Sequence, residues 1–164
     1  MSEAKTARAV KKPKGLTAKG ACLCGAVELE IGIPAFWAWH DHSASSRRAH
    51  GAAYATYVGC WRSKLRVAKG AKAITRFEQS GGARSFCAKC GTPLMYERAG
   101  SPKMVNVPRA LFTTRTGREP LYHIGIEEMQ DWAYTGERLT PLKGYPGVVW
   151  TGGRRKRGET VEML

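Results

Sequence analysis

The sequence predicts a mostly β fold carrying one short helix. Short apolar–polar alternating runs recur along the chain with Gly-rich breaks between them, and one segment alone has a helical pattern. The first run, ACLCGAVELEIG, sets Val27, Leu29 and Ile31 against Ala26, Glu28 and Glu30, a period of two that marks a half-buried strand. Further strands are expected at 36–39, 52–58, 64–68, 73–80, 84–87, 93–97, 103–107 and 122–126. Gly59, Gly70, Gly81, Gly82, Gly100 and Pro102 supply the breaks. The helix is expected around Glu127–Trp132, and GERLTPLKGYPG after it reads as loop.

At 164 residues the chain fits one domain, long enough to bury roughly two-thirds of its unfolded surface. The 43% hydrophobic and 9% aromatic content are those of a globular protein. Residues 1–19, rich in Lys, Ala and Pro–Gly punctuation, read as a basic disordered tail. The folded domain is expected over residues 20–150, and residues 151–164 read as a second basic tail. Of the formal charge of +14, the first tail holds +5, the second +2 and the body +7. Such a balance attracts nucleic acid, acidic membranes and acidic small molecules alike and selects none of them. No apolar run approaches the ~20 residues of a membrane span, and no secretory leader is evident, so a cytoplasmic protein is expected.

Five cysteines include two close pairs, Cys22-Leu23-Cys24-Gly25 and Cys87-Ala88-Lys89-Cys90-Gly91. In a cytosolic chain such spacing points to a metal before it points to disulfides. Two cysteines two or three positions apart reach one ion from a single turn, and two such turns complete the tetrahedral shell of a structural zinc. The glycine after each pair permits a left-handed backbone. A redox dithiol at Cys87 and Cys90 is the competing reading, but it needs a βαβ context that this chain lacks. One structural zinc per chain is therefore expected, closing a loop of 62 intervening residues.

ACLCGAVELEI, RSFCAKCGTPLMY and PLYHI with Trp132 some ten residues on are similar to the glutathione-dependent formaldehyde-activating enzyme family, which includes centromere-protein-V-like proteins. The resemblance runs from about Gly20 to Pro146. It implies a β-tent fold of small antiparallel sheets around a zinc held by Cys22, Cys24, Cys87 and Cys90. It also implies carbon–sulfur lyase chemistry, in which glutathione and formaldehyde combine to S-hydroxymethylglutathione, so a small thiol or glutathione adduct is the expected partner.

Enzymes of that family carry a second zinc motif, Cys-His-Cys-x-x-Cys-Arg followed by Gly. The matching stretch here keeps His42, Arg47 and Gly51 in register but has Asp41, Ser43 and Ser46 at the cysteine positions. Serine hydroxyls hold their protons and are poor zinc ligands, so this degenerate site is expected not to hold zinc tightly. A hard cation, or an ion on Asp41 and His50, are weaker alternatives. A serine-hydrolase reading of Asp, His and Ser lacks a Gly-x-Ser-x-Gly elbow. If 40–43 is extended, Asp41 and Ser43 share one face while His40 and His42 take the other.

Arg47 and Arg48 are the candidate substrate-binding residues, as bidentate partners for a carboxylate or phosphate. Tyr54 and Tyr57 are expected on opposite faces of a strand, one in the core and one toward the cleft. Cys60 reads as a small core filler, and His123 as packing beside the cleft. Trp37, Trp39, Trp61, Trp132 and Trp150 read as core or strand-end aromatics. A module whose basic tails contact nucleic acid is the competing function class, with binding that would weaken steeply as salt rises.

Overall fold

A computed structural model describes residues 15–133 and 139–150; most of the first expected tail and all of the second lie outside them. Twelve strands form two sheets among the described residues. The smaller sheet is antiparallel and joins β1 (Thr17–Ala21), β2 (Glu28–Gly32) and β5 (Leu65–Lys69) in the order β1-β2-β5. Its buried Glu30 accepts from Thr17 on β1 and pairs with Arg66 on β5, so the charge is compensated across all three strands.

The larger sheet contains β3 (Trp37–Asp41), β4 (Ala55–Trp61), β6 (Ile74–Gln79), β7 (Gly82–Cys87), β8 (Pro93–Arg98) and β9 (Met104–Pro108). Three short strands complete it, β10 (Tyr122–Ile124), β11 (Thr140–Pro141) and β12 (Val149–Trp150). The order is β11-β12-β10-β3-β4-β9-β8-β7-β6, antiparallel except where β10 runs parallel to β3. Each internal run expected from the sequence is a strand here. β1 begins at Thr17, three residues ahead of the expected boundary, because Thr17 to Ala21 pair in register with Gly32 to Glu28.

The alternation of β3 and β4 divides the large sheet into two faces. On one face Ala38, Val58 and Cys60 join Leu29, Ile31, Leu94, Val105 and Val107 in the main core, where the small sheet packs on the large one. Leu29, Ile31 and Val58 are fully buried, each stabilising the fold by about 1.5–3 kcal/mol. On the other face Trp39, Ala55 and Tyr57 form a second cluster flanked by Trp37, Tyr96 and Tyr122.

Among the described residues the single α-helix is α1 (Ala44–His50), not the segment at Glu127. The Ser43 hydroxyl accepts from Ser46 N–H as its N-cap, Gly51 ends it in a left-handed turn, and Arg47, Arg48 and His50 sit in the last turn, where the helix dipole favours positive charge. The expected helix is a 3-10 turn (Ile126–Glu128), bounded by Gly125 at φ 63° and an extended Met129. Gly125 also passes so close that a Cβ there would lie 2.8 Å from Ser43 N. The turn then delivers Glu128 Oε2 to the Ala44 N–H at 2.8 Å, capping α1.

Candidate metal centre and the neighbouring pocket

The four cysteines named from their spacing come together. Their Sγ atoms all lie within 4.8 Å of one another, with Cys22 to Cys24 at 3.6 Å and Cys24 to Cys87 at 3.9 Å. A tetrahedral zinc–thiolate shell with bonds of about 2.3 Å has sulfurs about 3.8 Å apart, so the quartet fits such an ion. Each pair sits on a tight turn, closed by Gly25 N–H to Cys22 O and Gly91 N–H to Cys87 O, and both glycines are left-handed, at φ 68° and 73°. The two turns are bonded to each other, since Leu23 N–H donates to the Thr92 hydroxyl at 3.1 Å. Val27 N–H points at Cys22 Sγ, 3.2 Å away, and the Thr92 hydroxyl lies 3.1 Å from Cys90 Sγ. Such contacts favour thiolate, the form that binds metal.

Beside this centre the residues of the second motif are spent on local structure. Asp41 is buried at the end of β3, accepting from Ser43 N–H at 3.0 Å and from the Ser46 hydroxyl at 2.9 Å. Ser46 accepts in turn from Arg84 Nη2 at 3.2 Å. Arg84 Nη1 donates to the Tyr57 hydroxyl at 2.9 Å, and that hydroxyl meets His50 Nε2 at 2.8 Å. Burial and then the Arg84 charge push His50 down to about 4, leaving it neutral beside the Tyr57 hydroxyl. The result is a polar chain from a carboxylate through Ser46, Arg84 and Tyr57 to an imidazole. Among the described residues the cysteine quartet is the one group of three or more such side chains placed to hold a metal ion, and neither Asp41 nor His50 belongs to such a group.

A cavity of about 520 Å³ lies over this chain. Arg84, Tyr57 and His50 contribute to its floor and Arg48 to its rim, while Phe77, Phe86, Met95, Pro93 and Pro108 supply apolar wall. Gly91 and Pro93 tie it to the cysteine turn. Arg48, a candidate binding residue from the sequence, is exposed and lines this cavity. Arg47 is committed elsewhere, donating to the His42 and Glu128 carbonyls at 3.1 Å each. Arg84 is the buried cavity residue that reading the motifs overlooks. Its signal is a charge inside the short strand run ahead of Cys87.

His40, His42 and His123 cluster on the opposite face of β3 from Asp41, as alternation requires. His42 Nε2 is 2.8 Å from His123 Nδ1, and Tyr54 packs against His40 and His42. Burial first, then the neighbouring rings, pushes His123 down to about 4. Cys60 is core filler, its thiol pushed up to about 12 by burial. Trp39 is buried, whereas Trp132 is 69% exposed and so is not a core residue. No helix of the described residues is long and apolar enough to cross a membrane.

A mostly β body with four cysteines placed to hold one metal ion defines the class of protein, a β-sheet domain with a candidate four-cysteine metal centre. Within that class the assignment is specific: the family model for glutathione-dependent formaldehyde-activating enzyme matches residues 17–128, and the chain belongs to that family. Among solved structures, one from Rhodobacter sphaeroides, described only as a structural-genomics protein, is similar. It shares 28% identity with a TM-score of 0.51, over 59% of this chain and 89% of that one. No curated protein matches the chain.

Proposed function

We propose that this chain is a one-zinc member of the family, in which the cysteine quartet holds a structural zinc ion and a fixed arginine stands where relatives place a second metal. The observation that carries this reading is the Arg84 guanidinium, hydrogen-bonded to Ser45 at 3.3 Å and to Ser46 at 3.2 Å. A cation arriving at Asp41, Ser43 and Ser46 would meet that charge at close range, in a buried setting where like charges repel strongly. It would also have to break the Ser46–Asp41 bond and the Ser43 cap.

Three thiolates can hold an ion and leave a place for a substrate sulfur. One carboxylate, already satisfied by two donors, and two hydroxyls cannot do the same work. The lyase reaction of the family's namesake therefore has no metal to run on at this position. The protein keeps the scaffold and its pocket, and it works as a zinc-stabilised small-molecule binding domain.

The test is to incubate the purified chain with glutathione and carbon-labelled formaldehyde and to follow S-hydroxymethylglutathione by NMR. The adduct is expected to form at the rate seen without protein. A rate that rises in proportion to protein concentration would contradict the proposal.

A further inference from the structure

Arg84 is 9% exposed, yet among the described residues no carboxylate forms an ion pair with it. Its Nη atoms donate to the neutral hydroxyls of Tyr57, Ser45 and Ser46, and Asp41 reaches it only through Ser46. Its Nε is buried without an acceptor, and the Tyr96 ring covers one side of the guanidinium at 3.9 Å. Holding a cation this deep without an anion is costly. The cavity that Arg84 lines contains no Asp or Glu, while Arg48 adds a second positive charge at its edge.

We infer that this cavity binds a small organic monoanion with an apolar body, a carboxylate of the arylacetate kind, whose charged end pairs with Arg84. The inference rests on the proposal that Arg84, and not a second metal, occupies this position.

The lining decides the rest of the ligand. Phe77, Phe86, Met95 and Pro108 favour an apolar body, and about 520 Å³ falls within the about 300–1,000 Å³ usual for small-molecule sites. Inorganic phosphate would leave that wall unfilled and bring a larger charge to desolvate. A zwitterionic peptide such as glutathione would bring an ammonium group into a cavity with two arginines and no acid to receive it. A planar carboxylate suits the guanidinium fork.

The probes are phenylacetate, its uncharged amide and inorganic phosphate, each titrated into the zinc-loaded chain by calorimetry. Phenylacetate is expected to bind saturably, one per chain. The amide should bind at least about tenfold more weakly, as should phenylacetate to the R84Q variant, because each change removes one half of a charge-assisted pair. Arg48→Gln should weaken phenylacetate less than Arg84→Gln does. Equal binding of acid and amide, phosphate binding as tightly as phenylacetate, or no saturation by about 10 mM phenylacetate would overturn the inference. Should R84Q fail to fold, the acid–amide comparison on the unaltered chain still decides. A zinc count on the same sample separates the two proposals: one zinc without phenylacetate binding overturns the ligand inference alone, whereas two zincs overturn the reading beneath it.

Discussion

Arg84 Nη1 donates to the Tyr57 hydroxyl across 2.9 Å, tying β7 to β4, two strands that are not neighbours in the sheet. The same hydroxyl hydrogen-bonds to His50 Nε2, so Tyr57 is the joint between the arginine and the end of α1. Tyr57→Phe keeps the ring and deletes only the joint, leaving a buried guanidinium N–H and an imidazole nitrogen short of a partner. We expect a loss of about 1–3 kcal/mol in urea unfolding with zinc content unchanged.

The cysteine quartet gives a sharper contrast. Cys87→Ser should strip the metal and unfold the domain, because the ion closes a loop that spans both sheets and a hydroxyl does not replace a thiolate. Cys60→Ser is the control. It places a hydroxyl in the core among apolar neighbours and should cost about 1–3 kcal/mol while retaining the metal. Metal analysis and thermal unfolding of the two variants distinguish a ligand from a filler; equal metal content in both would contradict the assignment.

Acid should destabilise the fold through its histidines. His50 and His123 are each pushed down to about 4, by burial first, with Arg84 acting on His50 and the neighbouring histidines on His123. The ordinary value is near 6.5, so between about pH 6.5 and 4 the unfolded chain takes up protons that the folded chain refuses. Their contribution is complete above about pH 6.5, falls as the pH drops, and levels off near pH 4. His40 and His42 are lowered too and act in the same direction. Replacing His50 with Gln should flatten the pH dependence of unfolding by about one proton, a difference that ligand-thiolate protonation does not produce.

Glu128 and Arg47 lock the 3-10 turn onto α1, Glu128 through Ala44 N–H and Arg47 through the Glu128 carbonyl. Glu128→Ala should cost about 1 kcal/mol, the usual worth of a helix cap, with no change in zinc content. Hydrogen exchange of the first amides of α1 should rise in the same variant.

The strands were open to sequence reasoning because Val, Ile and Tyr alternate with polar residues and glycines punctuate them. The cysteine quartet was legible for a chemical reason: two close pairs of thiols, each followed by glycine, are the spacing that four-coordinate metal binding requires. The helix was not. Seven residues give too short a period to register, and its cap Ser43 and its terminator Gly51 coincide with the motif positions read for metal chemistry. β1 is TAKGA, β11 two residues and β12 two residues, all too short or too polar to signal a strand. Arg84 stayed hidden because its partners Tyr57 and Ser46 are 27 and 38 positions away, brought together only by the order of the strands.

The most direct test is a count of tightly bound zinc in the purified chain after dialysis against excess zinc and then a weak chelator. One zinc per chain, lost on Cys87→Ser and retained when Asp41, Ser43 and Ser46 are all replaced by alanine in a variant that still folds, is the predicted result. Two zinc ions per chain, one of them lost with that triple replacement, would contradict the account.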